Sequence, residues 1–179
     1  MKLPDYNAPS ALAAVLDEHG FGMQKKFGQN FLVNAQARER IVRALEIERG
    51  MCVWEIGPGL GCMTKLLLDA GARVTAFEID KGFIKLLSDF FKAEIEKGAL
   101  KIVSGDAVKT WKSAYEDSGL PARFFGNLPY SIAASLIADT IERGVRFDKA
   151  VVTVQKEVAD RMTAKEGGED RSSFSVLCQ

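Results

Sequence analysis

Residues 53–61 read VWEIGPGLG, a short apolar stretch that runs into three glycines with the spacing G-x-G-x-G. The apolar part predicts a buried strand, and residues 62–70, which read CMTKLLLDA, predict a helix directly after the glycines. Glycines at such a turn let the backbone pass close to a ligand, and the N-terminus of the helix offers free N–H groups. The sequence therefore predicts a strand–turn–helix unit with a ligand site at its turn.

The same alternation of short apolar stretches and helical segments continues to residue 164. The predicted strands are residues 51–56, 73–79, 100–104, 122–126 and 148–155. The predicted helices are residues 10–19, 35–46, 62–70, 81–98, 107–116, 131–144 and 156–164. Strands that alternate with helices indicate an α/β fold, with a mostly parallel central sheet covered by helices on both faces. We expect Ser10 to cap the first helix, Gly20 to end it, and residues 165–173 to form a mobile loop.

The composition is that of a folded globular chain. The 179 residues are 47% hydrophobic and 27% charged, and 24 Lys and Arg balance 24 Asp and Glu. A formal net charge of zero excludes a simple polycationic nucleic-acid binder, although it leaves room for a local basic surface. The arginines between residues 38 and 49 alternate with glutamates, which predicts a salt-bridged helix face.

Several classes of protein are disfavoured by what the sequence lacks. The three cysteines, Cys52, Cys62 and Cys178, contain no C-x-x-C pair, so we expect no disulfide framework and no metal site. No apolar run approaches 18 residues, so we expect no membrane span. The first twenty residues match neither a secretory signal nor a transit peptide, which favours a cytoplasmic protein.

The spacing of the glycines indicates which ligand the turn binds. A dinucleotide-binding turn would need its third glycine at position 62, which is Cys62. The pattern G-x-G-x-G, with Glu55 two residues before Gly57, fits a nucleoside ligand without a pyrophosphate, such as S-adenosylmethionine. The turn therefore predicts a nucleoside-type cofactor site.

Acidic residues follow the second and third predicted strands. Glu78 ends the second strand, where a carboxylate can accept hydrogen bonds from both ribose hydroxyls. Asp80 comes two residues later and is better explained as a helix cap. Asp106 follows the third strand and could accept from an adenine amino group, or it could be an ordinary helix cap. Because open α/β sheets bind ligands at the carboxyl ends of their strands, these acids and the glycine turn support one another.

Residues 125–130, FGNLPY, follow the fourth predicted strand and suggest a methyl-acceptor loop. An exocyclic amine is a poor nucleophile because its lone pair is delocalised into the ring. The side-chain oxygen of Asn127 and the main-chain carbonyl of Leu128 could accept the amine hydrogens and favour a pyramidal nitrogen. Pro129 would stiffen the loop, and the ring of Tyr130 could stack on a base, which is worth about 1–3 kcal/mol. A rigid turn under a core tyrosine is the alternative.

Taken together, the motifs resemble the KsgA/RsmA family of rRNA adenine N6,N6-dimethyltransferases. The matching segments are KKFGQNFL (25–32), VWEIGPGLG (53–61), FEID (77–80), GDA (105–107), FGNLPY (125–130) and VQKEVADRM (154–162). The resemblance implies a Rossmann-like S-adenosylmethionine-dependent methyltransferase fold. Residues 1–33 would form an N-terminal helix and an ordered arm packed on the cofactor site, and residues 34–179 would form the catalytic domain.

The resemblance also assigns roles to individual residues. The cofactor would be bound by Gln29, Asn30, Leu32, Gly57, Gly59, Glu78, Asp106 and Asn127. The target adenine would be held, and the catalytic loop formed, by Asn127, Leu128, Pro129 and Tyr130. No metal takes part in this scheme.

The sequence departs from the family pattern near its end. Residues 171–176 read RSSFSV, where family members usually have a Tyr-Gly-containing stretch before a Ser-Val pair. Family members also continue beyond the length of this chain, with two last strands, a loop that carries an aromatic residue for the target base, and a small helical RNA-binding domain. We therefore expect an incomplete catalytic domain that folds and binds cofactor but methylates rRNA poorly on its own.

The implied activity is the transfer of methyl groups from S-adenosylmethionine to N6 of two adjacent adenosines near the 3′ end of small-subunit rRNA, during ribosome biogenesis. The partner would be small-subunit rRNA or a precursor of the small ribosomal subunit, and the protein would be a cytoplasmic monomer. A large-subunit rRNA adenine methylase of the macrolide-resistance type is one alternative, although that branch usually has Ile where Leu128 stands. A non-catalytic ribosome-assembly or transcription factor on the same fold is another, and the intact Glu78, Asp106 and Asn127 argue against it.

Overall fold

The computed structural model describes residues 1–21, 32–118, 121–127 and 130–178. Within these residues, five strands form one sheet in the order β3-β2-β1-β4-β5, and all four pairings are parallel. The strands are β1 (Cys52–Ile56), β2 (Arg73–Glu78), β3 (Leu100–Ser104), β4 (Arg123–Asn127) and β5 (Lys149–Thr153). The predicted α/β fold with a parallel sheet is confirmed.

The strand order creates a switch point in the middle of the sheet. From the central β1 the chain moves outward to β2 and β3, then returns to pair β4 with the other side of β1. Ile56 and Gly126 are register partners at the carboxyl ends of β1 and β4. Open α/β sheets bind their ligands in the crevice outside such a reversal of strand order, so this is where a site is expected.

Helices cover both faces of the sheet. They are α1 (Pro9–Glu18), α2 (Ala35–Leu45), α3 (Cys62–Asp69), α4 (Lys81–Phe90), α5 (Lys92–Glu96), α6 (Ala107–Ser118), α7 (Tyr130–Glu142), α8 (Lys156–Thr163) and α9 (Ser173–Cys178). None of the helices in the described ranges is long and apolar enough to cross a membrane.

Two apolar clusters form the core, one on each face of the sheet. Successive strand residues point to opposite faces, so Val53 joins one cluster and Trp54 the other, and Phe125 and Phe124 divide in the same way. The first cluster also takes in apolar residues of α1 to α4, and the second those of α6 and α7. The sheet is therefore sandwiched between two helical layers.

The N-terminal segment packs on the first of these layers. Leu12 and Leu16 of α1 are buried in the first cluster. Phe21 stacks on Phe83 with ring centroids 5.9 Å apart, and its ring occupies the space where a side chain on Gly82 would lie. The predicted division of the chain at residue 33 stays a prediction, since residues 22–31 lie outside the described ranges.

The start of the first helix differs from the predicted one. The prediction that Ser10 caps α1 is wrong: the helix begins at Pro9, after Ala8, and the cap position makes no side-chain hydrogen bond. Proline suits this position because its φ is already helical and the first turn needs no N–H from it. Gly20, with a φ of 70°, follows the helix as predicted.

The predicted helix at 81–98 is divided into α4 and α5. Phe91 separates them, with a φ of −112° and a ψ of 29°. Its side chain is buried beside the glycine turn, and a Cβ on Gly61 would come within 2.5 Å of the Phe91 ring. The helical periodicity is interrupted where this aromatic ring enters the core.

The end of the described chain is helical. The predicted loop at 165–173 contains turns, and α9 begins at its last residue, Ser173. Ser175 is buried, and its hydroxyl donates to the main-chain oxygen of Arg161 at 2.5 Å. This hydrogen bond joins α9 to α8.

Candidate active site

The glycine turn after β1 has a backbone that only glycine adopts readily. Gly57, Gly59 and Gly61 have φ values of 70°, 56° and 83°. The amide of Gly57 donates to the main-chain oxygen of Phe77 at 3.0 Å, which joins the turn to β2. A Cβ on Gly57 would lie 3.8 Å from the main-chain oxygen of Asn127. The absent side chain therefore keeps open the space between the turn and the end of β4, at the switch point.

The carboxylate of Glu78 holds the glycine turn and the end of β2 together. Its Oε2 accepts from the amide of Gly59 at 3.1 Å, and its Oε1 accepts from the amides of Ile79 and Asp80 at 2.9 and 3.0 Å. Burial raises the pKa of Glu78, and the three N–H donors act in the opposite direction. Two residues that the sequence assigns to the cofactor therefore meet in one hydrogen-bonded unit.

These three hydrogen bonds limit how many more the carboxylate of Glu78 can accept. A carboxylate offers about four acceptor positions, and three of these are taken by backbone N–H groups. The predicted contact to both ribose hydroxyls would thus require one of these bonds to lengthen or be shared. The Gly59 bond is the one that spans two separate segments of chain.

Asp80 and Asp106 both act as helix caps. The Oδ1 of Asp80 accepts from the amides of Gly82 and Phe83 at 2.8 and 3.3 Å, so the prediction of a cap on α4 is confirmed. The Oδ1 of Asp106 accepts from the amide of Val108 at 3.0 Å, at the start of α6. This is the alternative that the sequence left open for Asp106, and its contact to an adenine stays a prediction.

Asn127 ends β4 beside the glycine turn. Its Oδ1 accepts from the hydroxyl of Thr153 at 2.7 Å. The predicted loop residues Leu128 and Pro129 lie outside the described ranges, and Tyr130 is described only as the first residue of α7. Asn127 is therefore the last described residue before the proposed loop, and it lies at the switch point.

Of the three arm residues assigned to the cofactor, Leu32 alone is within the described ranges; Gln29 and Asn30 are not. The main-chain oxygen of Leu32 accepts from the guanidinium of Arg38. Leu32 is half-buried and packs against the apolar cluster that contains the residues of α3. Its contact to a cofactor stays a prediction.

The prediction of a salt-bridged face on α2 is wrong for Arg38. Glu39 and Arg43 do form an ion pair at 3.6 Å, but Arg38 is only 4% exposed. Its guanidinium donates to the main-chain oxygen of Tyr6 at 3.2 Å and to Oδ1 of Asn7 at 2.5 Å. Helical spacing could have revealed this position, since residues three and seven further on are the buried Ile41 and Leu45.

Sequence reasoning also missed Tyr6, whose hydroxyl donates to the main-chain oxygen of Leu60 at 2.8 Å. Burial raises the pKa of Tyr6 well above its usual value, so the hydroxyl keeps its proton. The N-terminal segment thus contacts the glycine turn directly. A cavity of about 320 Å³ lies beside this contact, between the N-terminal segment, α2 and α3.

Glu55, the acid of the glycine motif, is 1% exposed. It accepts from the hydroxyl of Thr64 at 2.7 Å, which joins β1 to α3. Burial raises its pKa to about 8, and the nearby Glu78 acts in the same direction. This carboxyl therefore fixes the helix that follows the glycine turn.

Among the described residues, no three His, Cys, Asp or Glu side chains are grouped so that they could hold a metal ion.

The chain matches a known family over most of its length. The model for "Ribosomal RNA adenine dimethylase" matches residues 20–179. A protein of Treponema denticola named "Ribosomal RNA small subunit methyltransferase A" is 51% identical over 175 residues, which are 98% of this chain and 59% of that protein. A protein of the same name from Streptococcus thermophilus is 36% identical, over 100% of this chain and 61% of that protein. The chain thus spans about three fifths of the length of these relatives.

Solved structures agree with the fold. A dimethyladenosine transferase from Plasmodium falciparum superposes with a TM-score of 0.66 at 29% identity, over 80% of this chain and 50% of that one. The 23S rRNA methyltransferase ErmE superposes with a TM-score of 0.59 at 25% identity, over 77% of this chain and 53% of that one.

A parallel sheet with a glycine turn after β1 and an acid after β2, together with these neighbours, defines the Rossmann-like fold of S-adenosylmethionine-dependent methyltransferases. Within that class, the family is decided by the match over residues 20–179 and by the identities of 36–51%. The chain belongs to the ribosomal RNA adenine dimethylase family, as the motifs indicated.

Proposed function

We propose that the full-length protein containing these residues transfers methyl groups from S-adenosylmethionine to N6 of two adjacent adenosines near the 3′ end of small-subunit rRNA. The observation that carries the proposal is the hydrogen bond between Glu78 and Gly59, in a glycine turn whose Gly57 lies close to the main-chain oxygen of Asn127. The carboxylate and the asparagine that we assign to the site therefore both lie beside the glycine turn. Relatives of 36–51% identity are named small-subunit ribosomal RNA methyltransferases, and the matching family model is named for ribosomal RNA adenine dimethylation, which supports it.

The residues present fit S-adenosylmethionine. When bound, this cofactor supplies a methyl group that is already strongly electrophilic. Glu78 would accept from the ribose and Asp106 from the adenine, since both follow strands at the carboxyl end of the sheet. Gly57 and Gly59 would line the pocket for the methionine part, and a Cβ on Gly57 would narrow the gap to β4.

The acceptor loop would activate the target amine by orientation. The amide oxygen of Asn127 and the carbonyl oxygen of Leu128 would accept the two amino hydrogens and draw the nitrogen out of conjugation with its ring. Tyr130 would stack on the base. No general base is needed before attack, so these residues act mainly by holding the amine in line with the methyl group.

The small-subunit target is favoured over the large-subunit one. The relatives with 36–51% identity are named for the small subunit, whereas the 23S rRNA methyltransferase is 25% identical. We further propose that the protein acts as a monomer in the cytoplasm, on a precursor of the small ribosomal subunit.

The proposed domain division places residues 1–33 as a cover on the cofactor site and residues 34–179 as catalytic domain. RNA affinity depends strongly on neutralising phosphates, and residues 1–179 have a formal net charge of zero. We therefore expect RNA capture by residues 1–179 to be weak. We expect residues 1–179 alone to bind cofactor but to methylate rRNA poorly.

Two measurements test the function. Calorimetric titration with S-adenosylmethionine should show one binding site, and its absence would favour a non-catalytic factor. Radiolabelled methyl transfer should then be measured on purified small and large subunits from a strain that lacks the modification, with the product nucleoside identified by mass spectrometry. Dimethyladenosine in small-subunit rRNA is the expected product, and labelling of large-subunit rRNA alone would contradict the proposal.

A further inference from the structure

Thr153 makes a side-chain contact with the residue at the centre of the proposed chemistry. Its hydroxyl donates to Oδ1 of Asn127 at 2.7 Å. The two residues end β5 and β4, and they are register partners in the parallel sheet. Neighbouring strands lie about 4.8 Å apart, so partners on the same face are within reach of each other. The contact thus follows from the strand register.

The hydrogen bond does not serve to pair the strands. Backbone pairing joins β4 and β5 over five consecutive register pairs, from Arg123 with Lys149 to Asn127 with Thr153. One further side-chain bond adds little to that pairing. It also acts on Asn127, because it favours one orientation of an amide group whose terminal torsion has broad preferences.

Thr153 is well suited to orient an amide. A β-branched side chain in a strand has a restricted χ1 angle, so the hydroxyl is held in place by the strand itself. The oxygen of the Asn127 amide faces this hydroxyl. An amide oxygen can accept two hydrogen bonds, so accepting from Thr153 is compatible with accepting an amino hydrogen of the target. An amide turned the other way would present N–H donors to the amine and repel it.

We propose that Thr153 is a positioning residue for methyl transfer, whose hydroxyl holds the Asn127 amide so that Oδ1 can accept a hydrogen of the target amine. This inference rests on the proposed function. It predicts a larger effect on the rate of transfer than on cofactor binding.

The test uses two substitutions in the full-length protein that contains these residues. Thr153→Val keeps the shape and removes the hydroxyl, whereas Thr153→Ser keeps the hydroxyl and removes the methyl group. Thr75→Val is the matched control, since Thr75 is a half-buried threonine within β2. Single-turnover methyl transfer to unmethylated small subunits is measured together with the KM for subunits and the Kd for S-adenosylmethionine.

We expect Thr153→Val to slow transfer about 3- to 10-fold, the effect of losing one orienting hydrogen bond. The KM and Kd should stay unchanged, Thr153→Ser should restore the rate, and Thr75→Val should match the wild type. A second readout is the side-chain amide signal of Asn127 in protein labelled with ¹⁵N-asparagine, assigned by its loss in Asn127→Asp. It should shift in Thr153→Val and stay in place in Thr153→Ser.

The outcomes separate the two proposals. An active wild type whose Thr153→Val variant transfers at the same rate, or whose Thr153→Ser variant stays as slow as Thr153→Val, overturns the role of Thr153 alone. A wild type that methylates no adenosine overturns the proposed function and the role of Thr153 with it.

Discussion

The indole nitrogen of Trp111 donates a hydrogen bond of 2.8 Å to the carboxylate of Asp139. Trp111 lies on α6, the helix that Asp106 caps, and Asp139 lies on α7, the helix that follows the acceptor loop. Arg143 also donates to Asp139, at 2.7 Å, and these bonds hold the pKa of Asp139 below its usual value. The helices behind the two halves of the proposed site are therefore joined through one carboxylate.

Asp139→Ala should lower the melting temperature by about 2–6 °C, because the buried indole N–H of Trp111 would lose its acceptor. Asp139→Asn keeps an oxygen that can accept from Trp111, so its melting temperature should fall by less. Thermal unfolding of the three proteins measures the difference. Equal decreases in melting temperature for Asp139→Ala and Asp139→Asn would show that the charge of Asp139 matters and that its bond to the indole does not.

Glu78→Ala should weaken S-adenosylmethionine binding by about 2–3 kcal/mol, the size of a lost hydrogen bond to a charged group. The substitution removes an acceptor for the ribose and also frees the amide of Gly59. Calorimetric titration measures the change, and Glu96→Ala, at an exposed position on α5, is the control. An unchanged dissociation constant for Glu78→Ala would remove this carboxylate from the site.

Asn127→Ala should reduce methyl transfer on the order of 100-fold or more while changing cofactor affinity little, because its oxygen acts on the amine as it becomes pyramidal. The comparison requires transfer rates on small subunits and cofactor titration of the same protein. Asn34→Ala is the control: it removes the cap of α2 and should cost about 1 kcal/mol of stability without affecting the rate. A rate near that of the wild type for Asn127→Ala would refute the assignment.

The buried carboxyl of Glu55 should make stability depend on pH. In the folded protein its pKa is raised to about 8 from the usual value of 4.5. Between these pH values the folded protein therefore holds a proton that the unfolded chain has released. The contribution of Glu55 to the free energy of unfolding is fully present below pH 4.5. It is lost as the pH rises toward 8, at no more than about 1.4 kcal/mol per pH unit.

Glu55→Gln should remove this contribution, because the amide cannot ionise and its oxygen can still accept from Thr64. Urea unfolding at pH 5.5 and 8.5 tests it: the wild type should lose more stability than Glu55→Gln between the two values. Parallel losses in both proteins would assign the pH dependence to other groups, such as Glu78, whose pKa is raised as well.

The sequence was sufficient for the sheet and for the proximity of two residues that we assign to the site. Short apolar stretches ending in Gly or acidic residues identified the strands, and the glycine turn and Glu78 came together as their positions after β1 and β2 required. Such local patterns need no knowledge of distant packing.

Features that depend on distant contacts could not be predicted. Tyr6 reaches Leu60 across 54 positions. Helical spacing indicates that Arg38 is buried, but its partners Tyr6 and Asn7 lie in a distant part of the sequence. The break at Phe91 depends on the space beneath Gly61. The bond between Thr153 and Asn127 depends on the register of two strands, which a single sequence does not determine.

The packing of the N-terminal segment has a consequence for the order in which the protein is made. Phe21 stacks on Phe83, and the amino group of Met1 donates to the main-chain oxygen of Asp89. During translation these first residues leave the ribosome before their partners exist. At about 5–20 residues per second, Phe83 follows Phe21 by roughly 3–12 s. For that time the ring of Phe21 lacks its partner and is open to a chaperone or to a wrong partner.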